Sequence, residues 1–200
     1  MDQKENKKYL VVGLGNPDPE FEKTLHNVGF GVLNEIIEDQ KSNWKKTKAV
    51  SGEMAKVDIR GKEVILLKPL TYMNRSGLAV KNALNFWKIS LNNLLIVQDD
   101  SDIEMGRLKI GYDQSSGGHK GLESIIQALG SQKFTRVKIG VRPSNLTQNG
   151  KTYVKAEKFI LRPYPKDKLE PICQAGADAV CFWLENGLAK AMSEYNVRNF

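Results

Sequence analysis

Asn16, His26 with Asn27, Met73 with Asn74, Asp99 and His119 each stand near the end of a run that reads as a strand or opens a helix. Singly, each has an ordinary explanation: a lone histidine is usually a satisfied core or surface residue, and an Asn after a strand is a turn former. Jointly they carry more, because strand ends of an open α/β sheet share one edge and bring distant positions together. A neutral imidazole takes a proton from water near pH 7. A carboxylate behind it fixes the tautomer and stabilises the imidazolium, and amide N–H groups stabilise an oxyanion. The chain has no Gly-x-Ser-x-Gly elbow to supply a nucleophile. The chemistry implied is therefore direct attack by water on an activated acyl group such as an ester.

Composition narrows the partner. Thirty Lys plus Arg against 23 Asp plus Glu leave +7 over 200 residues, which favours a polyanion. The longest aliphatic runs, 64–67 and 94–97, fall far short of the ~20 residues that cross a bilayer. Residues 1–8 read as a charged, flexible extension without the apolar stretch of a secretory signal, so the chain is expected in the cytoplasm. Two cysteines, Cys173 and Cys181, match no zinc pattern and read as core residues of a C-terminal helix, and two histidines cannot build a histidine-rich metal site. The Gly13-x-Gly15 pair lacks the third glycine of a dinucleotide fingerprint, where Asp18 stands, and Pro17 interrupts the helix start. Gly150-Lys151-Thr152 lacks the first glycine of a phosphate loop, where Asn145 stands.

The elements that must position these residues follow from periodicity. A buried strand over 9–14 enters a Gly- and Pro-marked loop, and apolar residues at helical spacing from Val28 to Asp39 predict a helix with Thr24 available as its cap. Runs 54–59 and 63–70 flank Arg60-Gly61-Lys62 as an antiparallel pair, and a helix from Ser76 through Trp87 precedes a strand over 94–97. Asp99, Asp100 and Asp102 are expected just past that strand. A strand over 107–112, a small-residue loop over 113–118, a helix from about His119 to Leu129 and a strand over 134–141 follow. A loop over 143–155 and helices over 166–185 and 188–199 complete the chain. The pattern predicts an α/β fold: one three-layer domain over 1–200, with a twisted, mixed, mostly parallel central sheet flanked by helices.

Five blocks resemble, in order, the motifs of bacterial-type peptidyl-tRNA hydrolases: Gly13-Leu14-Gly15-Asn16-Pro17, Thr24-Leu25-His26-Asn27-Val28-Gly29, Lys68-Pro69-Leu70-Thr71-Tyr72-Met73-Asn74-Arg75-Ser76-Gly77, Asp99-Asp100-Ser101-Asp102 and Gly117-Gly118-His119-Lys120-Gly121-Leu122. The resemblance implies a monomer that cleaves the ester between a peptide and the 3′-terminal ribose of tRNA, with no metal, nucleotide cofactor or membrane. It implies His26 as the base that activates water and Asp99 as the carboxylate that orients it. Asn16 and Asn74 would bind the substrate end, Asn74 being the better oxyanion donor. Met73, with Tyr72 and Asn27, would line the substrate site, and His119 would lie at its rim.

Three positions depart from the family's pattern. Lys120 stands where the family usually has Asn, and an ammonium cannot accept the hydrogen bond that orients a water. Glu123 stands where a basic residue is usual, which predicts a Lys120–Glu123 pair one helical turn apart. Gly111 replaces one member of the basic pair that grips the tRNA 5′ phosphate, while Lys138 keeps the other. Lys109 and Arg136, on the same strand faces as Gly111 and Lys138, are expected to compensate. The lysine runs over 41–48 and 151–158 would extend this basic surface. These departures motivate an alternative: a tRNA- or RNA-binding protein on the same scaffold with weak or lost hydrolysis.

Overall fold

The computed structural model describes residues 7–144, 147–148, 151–152 and 154–200. Seven strands form one sheet in the order β2-β3-β4-β1-β5-β7-β6. They are β1 (Tyr9–Gly13), β2 (Lys45–Thr47), β3 (Gly52–Ile59), β4 (Lys62–Pro69), β5 (Leu94–Glu104), β6 (Leu108–Tyr112) and β7 (Thr135–Arg142). β4, β1, β5 and β7 run parallel at the centre, while β2, β3 and β6 join at the edges through antiparallel pairing, β2 to β3, β3 to β4 and β6 to β7. The chain leaves β1 for β4 on one side and β5 lies on the other. The crevice at the carboxyl end of β1 is thus the switch point where such sheets hold ligands.

Alternation along the strands divides the core into two layers. Val11, Leu95, Val97, Val137 and Ile139 pack beneath α1 (Val28–Asp39) and α4 (Lys166–Asn186). Leu10, Val12, Leu94 and Ile96 pack beneath α2 (Ser76–Trp87) and α3 (Lys120–Leu129). A short α5 (Leu188–Tyr195) ends earlier than the periodicity implied. The tail beyond it pairs Asn199 with Arg107, just ahead of the edge strand β6.

Four other features differ from the sequence reading. β5 runs eleven residues, so Asp99, Asp100 and Asp102 lie inside it. Its register with β7 shifts only between Asp100 and Glu104, because continued backbone pairing holds the strand extended past its apolar stretch. β2 emerges from what sequence marks only as a lysine run; its pairing with β3, and not any apolar pattern, makes it a strand. The Thr24 hydroxyl donates to Phe21 O (2.8 Å) and does not cap α1, which instead continues from a 3-10 turn over Leu25–Asn27. Within 143–155 a two-stranded pair, β8 (Thr147–Gln148) and β9 (Lys151–Thr152), forms; the side chains of the 151–158 lysine run up to residue 153 lie outside the described residues. Of the expected N-terminal extension, 1–6 lie outside them too, whereas Lys8 O accepts a hydrogen bond from Asn93 Nδ2 (3.1 Å).

Candidate active site

The 14–27 segment is drawn tightly over the end of β1. Leu14 N–H donates to Val97 O (2.9 Å), and a Cβ on Gly13 would lie 2.2 Å from Gly29 O, so only glycine permits this crossing. Farther along, His26 N–H donates to Ile160 O (2.9 Å) and Tyr164 N–H to Lys23 O (2.8 Å), which ties the segment to the stretch before α4. His26 is thereby delivered to β5 from 73 residues away in sequence: its Nδ1 is 2.8 Å from Asp99 Oδ1.

A second imidazole shares that oxygen. His119 Nε2 lies 3.1 Å from Asp99 Oδ1, and the two rings are 5.3 Å apart between centroids. His119 also caps α3, its Nδ1 accepting the backbone N–H groups of Gly121 (3.1 Å) and Leu122 (3.4 Å). An acceptor at Nδ1 puts the neutral ring's proton on Nε2, where it is donated to Asp99. Asp99 is 4% exposed. Burial alone pushes its pKa up, but the hydrogen bonds from His119 and His26 prevail and hold the carboxyl at about 2. A permanent anion facing Nδ1 of His26 keeps the proton there and leaves Nε2 as a basic lone pair, free of partners among the described residues.

The ligating atoms of His26, Asp99 and His119 lie within 4.8 Å of one another, close enough to consider a metal ion. The hydrogen bonds argue for a different use. With Nδ1 of His119 occupied as a helix-cap acceptor, Nε2 carries the proton and offers no lone pair to a metal. The trio fits proton transfer.

The amides are ordered by one another. Asn27, 5% exposed, takes Asn16 N–H on its Oδ1 (2.8 Å) and gives its Nδ2 to Asn16 O (2.9 Å). Both ends of that side chain are spent on the loop, so Asn27 positions Asn16 and is not a substrate contact as expected. Asn16 Oδ1 accepts Met73 N–H (3.3 Å), and its Nδ2 has no hydrogen-bond partner among the described residues. Met73 itself is buried among Leu14 and Leu122, beneath the site and not lining it. Tyr72 is 61% exposed, and Asn74 is exposed on the 3-10 turn Met73–Arg75; neither touches the two histidines or Asp99.

A cleft of about 320 Å³ opens beside the trio, bordered by Asp100, Asp102, Ser116, Gly118, Lys120, Lys138 and the 156–161 stretch. His119, expected at the rim, forms part of its buried floor. Lys120 lines the mouth and is exposed, and among the described residues no ion pair joins it to Glu123. Lys109 and Lys138 are directly opposed across β6 and β7, so both side chains leave the same sheet face. Lys138 Nζ is 3.4 Å from Asp100 Oδ2. Arg136 departs from expectation: it is fully buried, its guanidinium donating to the carbonyls of Ser115 (2.6 Å) and Gln114. It fastens the 113–118 loop and does not reach a surface phosphate. Sequence reasoning missed Asp100 as a partner of Lys138, although its place one residue after Asp99 put it on the lysine's side of the strand.

The model of the family described as peptidyl-tRNA hydrolase matches residues 10–200. A peptidyl-tRNA hydrolase of Thermoanaerobacter sp. (strain X514) is 40% identical over 191 residues, covering 94% of this chain and 99% of that protein. One of Aquifex aeolicus is 43% identical over 172 residues, covering 86% and 85%. The crystal structure of peptidyl-tRNA hydrolase from Acinetobacter baumannii superposes with a TM-score of 0.83 at 27% identity, over 97% of each chain. With the His–Asp centre at the switch point and a match running from the first strand to the last residue, the chain belongs to the peptidyl-tRNA hydrolase family.

Proposed function

We propose that the chain hydrolyses the ester joining a peptide to the 3′-terminal ribose of tRNA, using a water molecule deprotonated by His26 Nε2, and so returns tRNA from interrupted translation. The observation that carries this is the 2.8 Å contact of His26 Nδ1 with Asp99, which leaves the opposite ring nitrogen as the base. Water oxygen bonds to the ester carbonyl carbon as its proton passes to Nε2, and Asp99 stabilises the imidazolium. Asn16 Nδ2, a donor left without a partner while Oδ1 takes Met73 N–H, donates to the tetrahedral oxyanion in place of Asn74, the donor expected from the sequence. The bond to the ribose 3′ oxygen then breaks and the imidazolium returns the proton to it. Asn74 and Tyr72, exposed beside Asn16, contact the peptide or the terminal nucleotide. Lys120, Lys109 and Lys138 meet the acceptor end, Lys109 and Lys138 taking the 5′ phosphate between them. The protein acts as a monomeric single domain in the cytoplasm and uses no metal or nucleotide.

The test is release of labelled peptide from peptidyl-tRNA. His26→Ala is expected to abolish release, and Asp99→Asn to reduce kcat by roughly 10²–10⁴ through loss of the tautomer-fixing charge. Tight binding of peptidyl-tRNA by the unaltered protein without release would instead favour the RNA-binding alternative.

A further inference from the structure

We propose that Asp100 is an internal competitor for the terminal phosphate of tRNA, occupying Lys138 in the free enzyme and hastening release of the deacylated product. The inference rests on reading Lys138 as a phosphate contact. Asp100 is the residue after the catalytic carboxylate, and strand alternation sends its side chain to the opposite sheet face, where Lys138 also projects. Its two oxygens have separate duties. Oδ1 accepts Asp102 N–H (2.9 Å), which fixes the carboxylate, and Oδ2 faces Lys138 Nζ at 3.4 Å. Both side chains border the cleft and are largely shielded, at 16% and 23% exposed.

The lysines explain why an anion belongs there. Lys109 and Lys138 are directly opposite across an antiparallel pair, where like charges repel. Asp100 offsets that repulsion in the empty enzyme by standing where one phosphate oxygen would stand. A phosphate approaching Lys138 must take the ammonium from a carboxylate already held in place, so its net gain is an exchange of anions and not a new ion pair. Every ligand that uses Lys138 is weakened by the same factor. Substrate and product lose the same factor, but the substrate keeps the affinity of its acyl end, whereas the product, held through its phosphates alone, leaves sooner.

Asp100→Asn removes the charge and keeps the oxygen that accepts Asp102 N–H. Binding and dissociation of deacylated tRNA are measured for the unaltered protein, Asp100→Asn, Lys138→Ala and the double variant, each with 5′-phosphorylated and 5′-hydroxyl tRNA. Asp100→Asn is expected to tighten the phosphorylated form by up to about fivefold, the range of a partly screened ion pair, through slower dissociation. The 5′-hydroxyl form should be unaffected, and the double variant should match Lys138→Ala. If Lys138→Ala weakens the phosphorylated form while Asp100→Asn leaves it unchanged or weakens it too, the competitor role is wrong and the phosphate contact stands. If Lys138→Ala makes no distinction between the two RNAs, the phosphate contact itself fails and the competitor role fails with it.

Discussion

His119 shows how one side chain can define a neighbour's chemistry. Its Nδ1 is consumed by the first amides of α3, so its Nε2–H must point at Asp99, and that donor helps keep Asp99 ionised to about pH 2. Removing it separates two roles. His119→Ala deletes both the cap and the donor, whereas His119→Asn restores only an acceptor near the α3 amides. Loss of a cap costs about 1 kcal/mol. We expect Asn to recover much of the stability lost in Ala, measured by urea unfolding, while both variants show the same reduced kcat for peptide release. Recovery of turnover along with stability would mean that His119 acts on catalysis through α3 alone. The residue types of this centre were legible in sequence, since a base, an acid and several amides occurred at strand ends. Their connections were not, because nothing in a one-dimensional spacing records that two imidazoles converge on one carboxylate oxygen, or that Asn27 is spent on Asn16.

The elements were readable where an apolar period betrayed them, as in β1, α1, α2 and β4, and unreadable where pairing alone made the structure. β2 is three residues with two exposed lysines, and the polar half of β5 is a strand because β7 continues beside it. The 113–118 loop was readable as a loop from its small residues, but its shape was not. Its conformation is set by Arg136, which reaches up from β7 to two of its carbonyls, and by backbone at positive φ at Asp113 (52°), Gly117 (58°) and Gly118 (80°). Burial lowers the Arg136 pKa to about 10, so the guanidinium remains charged at neutral pH. A basic residue in a tRNA-binding protein invites the reading of a phosphate ligand, and salt dependence discriminates. Arg136→Met should loosen the loop and lower kcat/KM several-fold while the slope of binding against salt stays the same. Lys138→Ala should instead flatten that slope by about one phosphate contact. An equal change of slope in both variants would return Arg136 to the RNA interface.

At the scale of the whole molecule, the carboxyl edge of the sheet buries two charges of opposite sign, and their titrations should shape stability against pH from opposite ends. Asp99 has its folded pKa lowered from 3.8 to about 2, so the stabilisation it brings is complete above about pH 4 and is lost as pH falls toward 2. On linkage grounds that is on the order of 2 kcal/mol. Lys68, 7% exposed on β4, has its ammonium 4.2 Å from the Trp44 ring centroid and 5.6 Å from that of Phe30, with Asn34 Oδ1 accepting its proton. Burial lowers its pKa from 10.5 to about 8 despite the opposing pull of Glu53 and Glu22. Between those values the unfolded chain binds the proton that the folded chain has released, so stability should rise with pH from about 8 to about 9, above which the thiols of Cys173 and Cys181, pushed up by burial from 9.0 to about 12 and about 11, pull it back down. The cost of charging Lys68 in the core is thus present at neutral pH and relieved in alkali. Lys68→Met, similar in volume and without a charge, is expected to stabilise the protein at pH 7 and to abolish the alkaline rise. Asp99→Asn should flatten only the acid limb. Urea unfolding in steps from pH 2 to 10.5 measures both, and an alkaline rise that persists in Lys68→Met would place the buried proton on another residue.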